Sequence, residues 1–127
     1  MATREVFVAN QILTAAEQNA LATAMIAINA QTGTTYTTVL TDDGKLITCS
    51  NASAISVTIP PNSSVAYGIG TQLNFAQLST GQVTLVAGAG VTLNSSGTKL
   101  KLKDQYAVAT VVKTGTDEWF AVGNLSA

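Results

Sequence analysis

The chain has 127 residues, the size of one ordinary domain, and carries 6 Lys and Arg against 7 Asp and Glu, with no His. The lack of His removes the commonest general base and metal ligand, and the net charge of -1 gives no electrostatic footprint for nucleic acid. A single Cys excludes an internal disulfide, and no apolar stretch reaches the roughly 18 residues of a membrane helix.

Charged residues make up 10% of the chain, against about 25% in an average soluble protein. A small monomer usually covers its surface with charged side chains. The surface of this chain is therefore expected to be either coated with hydroxyls and amides or buried against other chains.

Residues 1–33 are predicted to form an N-terminal unit, an apolar arm (1–13) followed by the only helix (14–31). Thr14 and Glu17 form a capping box, apolar side chains recur on one face at helical spacing, and Gly33 fits a C-terminal cap. The arm and the helix face can each pack on the chain's own domain, on symmetry copies or on a docking surface. The candidate anchoring or self-association residues are Val6, Phe7, Val8, Ile12, Leu21, Met25 and Ile28.

Residues 34–127 are predicted to form a β-domain, because β-branched residues dominate and turn signals recur at short spacing. This favours a mainly β fold, a small β-sandwich or barrel-like knob. A faint echo between ISVTIPP (55–61) and VTLVAGAGVTL (83–93) suits β-helix rungs, so a short trimeric β-helix is the alternative. The predicted strands, about nine, are residues 35–40, 45–49, 54–59, 71–78, 82–87, 91–93, 99–103, 106–113 and 118–122.

No motif predicts catalysis, a cofactor or a metal site. Asp42 and Asp43 precede Gly44 between two predicted strands, which is the pattern of a hairpin turn rather than of a carboxylate pair, and residues 114–117 predict a second hairpin. The glycine pairs at 68–70 and 88–90 lack the remaining residues of a phosphate-binding loop. Cys49 has no His to pair with and is predicted to be a buried apolar residue.

Three lysines and an aromatic pair supply the candidate surface contacts. Lys99, Lys101 and Lys103 alternate with leucines, so their ammonium groups point to one face of one strand, where they protect a sheet edge or bind an acidic partner. Trp119 and Phe120 are adjacent and point to opposite faces of a strand. One of the two is expected in the core, and Trp119 is taken as the candidate contact.

Ordered pieces of the sequence resemble a β-domain found in structural proteins of tailed bacteriophages. They are residues 36–48 (YTTVLTDDGKLIT), 51–64 (NASAISVTIPPNSS), the stretch from 69 to 93, and 116–127 (TDEWFAVGNLSA). Residues 11–21 (QILTAAEQNAL) are similar to a helix start near the beginning of phage fibre and appendage proteins.

The resemblance implies a non-enzymatic virion protein made in the cytoplasm of the bacterial host, either a capsid decoration (cement) protein or a head fibre. It implies a homotrimer that docks on the major capsid protein, or another virion protein, through residues 1–33 and binds neither nucleic acid nor membrane. The alternative is a short tail fibre or baseplate appendage that binds a host receptor, such as a glycan, through exposed aromatic side chains such as Tyr67 or Trp119. A third hypothesis, a polysaccharide-degrading enzyme, requires two carboxylates brought together in a groove.

Overall fold

The structure is a computed structural model that describes residues 27–127. In these residues it consists of two β-sheets and two short 3-10 turns, Leu40–Asp42 and Ser96–Thr98, so the prediction of a mainly β fold is confirmed. The strands are β1 (Ile28–Gln31), β2 (Thr35–Thr37), β3 (Leu46–Cys49), β4 (Ile55–Ile59), β5 (Gln72–Gln77), β6 (Val83–Ala87), β7 (Thr92–Ser95), β8 (Lys101–Leu102), β9 (Val108–Gly115), β10 (Glu118–Gly123) and β11 (Leu125–Ser126).

The chain alternates between the two sheets along its first eight strands. Sheet A has the order β1-β3-β5-β9-β10-β7, and sheet B has the order β11-β8-β6-β4-β2. Strands β1, β3 and β5 are parallel in sheet A, and β2, β4 and β6 are parallel in sheet B. These six strands form three successive rungs, each with one strand in either sheet. Antiparallel pairing of β9 with β5, and of β8 with β6, then extends each sheet.

The two stretches that echo one another in sequence are stacked neighbours. Strand β4 runs parallel to β6, with Ile55 opposite Val83 and Val57 opposite Leu85. All four side chains are buried. Strands β1–β6 thus repeat the same path through the two sheets three times. The sheets do not close into a barrel.

The helix predicted over residues 14–31 is wrong at its end, because residues 28–31 form strand β1 and pair in parallel with β3. Residues 14–26 and the arm lie outside the described residues. Ile28 and Ala30 alternate with Asn29 and Gln31, which is also the period of a strand, and Asn29 finds its hydrogen-bond partners in that conformation. Sheet A thus includes residues that the sequence assigns to the N-terminal unit.

The hairpin predicted at residues 41–44 is also wrong, because β2 lies in sheet B and β3 in sheet A. The turn signal itself is sound: Gly44 has a φ of 75°. The hairpin predicted at residues 114–117 is confirmed, since β9 and β10 pair antiparallel. The nine predicted strands correspond to β2–β10, and the structure adds β1, which precedes the predicted β-domain, and the two-residue strand β11.

One hydrophobic core lies between the two sheets and draws side chains from both. Trp119 and Phe75 are the largest of its fully buried side chains, and the Trp119 ring meets Tyr67 edge to face at a centroid distance of 5.4 Å. Cys49 is buried, as predicted, and burial raises the pKa of its thiol to about 11. Within residues 27–127 no helix is long and apolar enough to cross a membrane.

Candidate interaction surface

Sheet A presents a face to the outside that is almost free of charge. Its inward side chains enter the core, so the alternating residues point outward. Four large apolar side chains on this face are well exposed: Ile28 is 57% exposed, Phe120 49%, Val122 47% and Val108 44%. In the strands that the structure describes, Glu118 is the one charged residue of this face. We call it the outer face of sheet A, and its apolar members are Ile28, Ala30, Leu46, Ala76, Val108, Val112, Phe120 and Val122.

The polar groups in the middle of this face are satisfied within the sheet. The Asn74 Oδ1 atom accepts hydrogen bonds from Gln72 Nε2 and Thr110 Oγ1, both at 2.9 Å. The Asn74 Nδ2 atom donates to the backbone oxygen of Lys45 at 3.1 Å. A partner can therefore cover Asn74 without stripping its amide of hydrogen bonds, which removes a main cost of burying a polar group.

Sheet B presents a different outer surface. Its outward positions are mostly hydroxyl side chains, with one lysine and the half-exposed Val86. They are Thr35, Thr37, Ser56, Thr58, Thr84, Val86, Lys101 and Ser126. The two explanations for the low charge therefore apply to different sheets: sheet B is coated with hydroxyls, and sheet A exposes an apolar face.

The lysine stripe is predicted to lie on one face of one strand, and of its three members only Lys101 lies in strand β8. Lys99, Lys101 and Lys103 are exposed, whereas Leu102 between them is fully buried. Strand β8 is not the edge of its sheet, because β11 pairs with it. The lysines therefore do not lie on an edge strand. The edge of sheet B on this side is the two-residue strand β11.

The prediction that Trp119 is a surface contact is wrong. Its side chain is 1% exposed, and Tyr67, the other aromatic residue expected at the surface, is 4% exposed. The expectation that one of the adjacent pair is core and the other exposed is confirmed, with the assignment reversed: Phe120 is the exposed ring. The larger indole fills the space between the sheets, and its greater apolar area was the signal that could have decided the pair.

The predicted anchoring residues fall in two groups. Ile28 lies on the outer face of sheet A, on its edge strand β1. The others lie outside the described residues, so the structure does not place them: Val6, Phe7, Val8, Ile12, Leu21 and Met25.

Asp42 is more than a turn residue. It is 1% exposed, and its carboxylate accepts hydrogen bonds from Asn29 Nδ2 at 2.8 Å, the Tyr36 hydroxyl at 2.5 Å and the backbone N–H of Val39 at 3.0 Å. Burial, followed by the hydrogen bond to Asp42, raises the pKa of Tyr36 to about 12. These three donors lie in β1, in β2 and at the start of the following turn, so the carboxylate links the three segments.

Lys113 is a second residue that sequence reasoning missed. Its side chain is 2% exposed, and its ammonium donates to Asn62 Oδ1 and to the backbone oxygen of Tyr67, both at 2.7 Å. It occupies an inward position of β9 opposite Trp119. The alternation of residues 106–113 places position 113 on the same face as the buried Ala109 and Val111, which is the signal that was available.

Within the described part of the chain, no three His, Cys, Asp or Glu side chains are placed to hold a metal ion. A surface pocket of about 300 Å³ lies beside β10 and is lined in part by Lys99, Phe120, Val122 and Leu125. Comparison of the sequence with protein-family models finds no match, and comparison with curated proteins finds no similar protein.

Proposed function

We propose that this chain is a non-enzymatic structural protein of a bacteriophage virion, a capsid decoration or head-fibre protein that works as a homotrimer. The observation that carries the proposal is the outer face of sheet A, with four exposed large apolar side chains and one carboxylate. The phage-like sequence pieces supply the biological context, and the face supplies a physical reason to assemble.

The composition of this face fits burial between copies of the chain. The central parts of stable interfaces are depleted in charged residues and enriched in apolar ones. Burying apolar surface stabilises association by roughly 25 cal/mol for each Å² removed from water. The outer face of sheet A is apolar, and its one charged residue lies at one end. The amide at its centre is already hydrogen bonded, so burying it costs little.

Self-association is tested by sedimentation equilibrium of the intact protein. We expect a mass well above the 13.0 kDa of one chain. Phe120→Glu places a charge on the outer face of sheet A and is expected to shift the mass towards the monomer. Val86→Glu is the matched control, because Val86 is 38% exposed on the opposite sheet, and it should leave the mass unchanged. A monomeric wild-type protein would contradict the proposal.

The N-terminal unit is proposed to dock the oligomer on the major capsid protein or another virion protein, while the β-domain projects. Its support is the apolar sequence of residues 1–13 and the placement of Ile28 on the outer face of sheet A. Deletion of residues 1–13 is expected to leave a soluble protein that no longer binds virus particles. Unchanged particle binding after the deletion would refute this role.

A short tail fibre or baseplate appendage that binds a host receptor is the second candidate function. The pocket beside β10 favours it, because the pocket combines a half-exposed phenyl ring, Phe120, with the ammonium of Lys99. The discriminating measurement is binding of the intact protein to host cells. Binding that Lys99→Ala removes, with the sedimentation mass unchanged, would support the receptor role over the decoration role.

A further inference from the structure

Lys113 is a buried amine whose two contacts are both neutral oxygens. The side chain is 2% exposed and faces the core from β9, where its register partner on β10 is Trp119. Its nitrogen donates to the carboxamide oxygen of Asn62 and to the backbone oxygen of Tyr67, at 2.7 Å each. Burying an ammonium is costly, and a carboxylate partner is the usual compensation. The contact with a carboxamide is therefore unusual enough to need an explanation.

The geometry places the amine close to an electrophilic carbon. The contact of 2.7 Å is made to Asn62 Oδ1, and a C=O bond is about 1.23 Å long, so Nζ lies about 3–4 Å from Asn62 Cγ. Reacting atoms poised for attack are about 3–3.5 Å apart. Once the ammonium has lost a proton, a rotation about the Cε–Nζ bond would aim the lone pair of the amine at Cγ.

A carboxylate is held beside the same asparagine. Asp117 Oδ1 accepts a hydrogen bond from the backbone N–H of Asn62 at 2.7 Å. The position of Asp117 is fixed in turn, because its backbone oxygen accepts from the N–H of Thr92 at 2.9 Å. Asn62 thus contacts the Lys113 amine through its side chain and the Asp117 carboxylate through its backbone N–H.

We propose that Lys113 and Asn62 form an intramolecular isopeptide bond. Asp117 does not contact the Lys113 ammonium, so a water molecule passes a proton from Nζ to the Asp117 carboxylate, and the free amine attacks Asn62 Cγ to form the new C–N bond. The same route returns this proton to Nδ2, the Cγ–Nδ2 bond breaks, and ammonia leaves. The second proton lost by the attacking nitrogen passes through water to the ammonia, which becomes ammonium. The products are one amide and one ammonium ion, Asp117 is unchanged, and nothing is oxidised or reduced.

Such a bond would join the two sheets covalently. Asn62 lies in the segment after β4 of sheet B, and Lys113 lies in β9 of sheet A, 51 positions away. A link that closes a long loop restricts the unfolded chain and so stabilises the fold. This inference does not use the outer face of sheet A, and it stands whether or not the proposed virion function is correct.

The test is the intact mass of the purified full-length protein. We expect a mass lower than the sequence mass by one ammonia, and a protease digest containing a branched peptide that joins Lys113 to Asn62. A mass equal to the sequence mass would overturn the proposal, and so would a branched peptide between any other pair of residues.

Variants identify the participating groups. Lys113→Met and Asn62→Ala should each restore the full sequence mass, and Asp117→Asn should slow or abolish the loss of ammonia. Lys101→Met is the matched control, because Lys101 is exposed, and it should keep the ammonia loss. Loss of ammonia that persists in the Lys113→Met protein would refute the assignment. Should a core variant fail to fold, the wild-type mass and its digest still decide the question.

Discussion

Asp42 shows at the scale of a residue what sequence alone could and could not predict. The pattern Asp-Asp-Gly correctly predicts a turn with positive φ at Gly44. It does not distinguish Asp42, which is 1% exposed, from its exposed neighbour Asp43. The distinction depends on Asn29, which is 13 positions away and reaches the carboxylate only because β1 is a strand. A long-range side-chain partner leaves no local signal in a single sequence.

Removal of the Asp42 carboxylate is expected to destabilise the fold. Asp42→Ala deprives Asn29, Tyr36 and the N–H of Val39 of a charged acceptor. Loss of hydrogen bonds to a buried charge should lower the free energy of unfolding by about 2–4 kcal/mol, measured in urea. Asp43→Ala is the matched control and should stay within about 0.5 kcal/mol of wild type. Equal effects of the two substitutions would show that Asp42 has no special role.

Alkaline stability is expected to depend on Tyr36. Its pKa is about 12 in the folded chain against an ordinary value of 10.0, because burial and Asp42 disfavour the tyrosinate. As pH rises past 10, the unfolded chain loses this proton while the native chain keeps it, so the free energy of unfolding falls between pH 10 and about 12. Burial also raises the pKa of Tyr67, which acts in the same direction.

The measurement is urea denaturation as a function of pH. Tyr36→Phe should weaken the fall in stability above pH 10, although it also removes a hydrogen bond to Asp42 at every pH. Tyr106→Phe is the control, because Tyr106 is 72% exposed, and its pH profile should match that of wild type. A Tyr36→Phe profile as steep as that of wild type would show that another group governs alkaline unfolding.

At the scale of elements, alternation of apolar residues located strands but not their partners. Nine predicted strands correspond to β2–β10, because a period of two reports which side chains are buried. Pairing is a different property: β2 and β3 are joined by a turn with positive φ at Gly44, yet they enter different sheets. The sequence echo links the two stretches that form β4 and β6, and these strands do pair in parallel, with equivalent residues opposite one another.

Gly81 is where one connection between rungs lies directly on the next. Its N–H donates to the backbone oxygen of Asn51 at 2.9 Å, and a Cβ at this position would overlap the backbone oxygens of Asn51 and Ser53. We expect Gly81→Ala to cost more than about 2 kcal/mol of stability, because backbone rather than a flexible side chain must move.

Gly68→Ala is the control for this substitution. Gly68 has open space around its Cβ position and no positive φ, so the change should be neutral or stabilise slightly. Thermal unfolding followed by circular dichroism compares the two proteins. Similar melting temperatures for them would show that the connections between rungs are not tightly packed.

At the scale of the whole molecule, both sheets expose few charged residues, but the side chains found in their place differ between the sheets. Composition alone posed a choice between a hydroxyl-coated surface and a buried one, and it could not choose because it holds no information on position. The structure places threonines and serines outward on sheet B and apolar side chains outward on sheet A. It also locates two candidate contact surfaces, the apolar outer face of sheet A and the lysine stripe beside sheet B, which meet at the pocket lined by Lys99 and Phe120.

Ionic strength distinguishes these two surfaces. An interface built from the outer face of sheet A holds few charges, so raising the salt to about 1 M, where the Debye length is about 3 Å, should leave the oligomer intact. Contacts made by Lys99, Lys101 and Lys103 with an acidic surface would be screened, and the sedimentation mass would fall. Replacing the three lysines by Gln is accordingly expected to leave the mass unchanged, whereas Phe120→Glu lowers it at every salt concentration. Dissociation by salt, together with loss of the oligomer in the lysine variant, would show that the interface is formed by the lysine stripe and not by the outer face of sheet A.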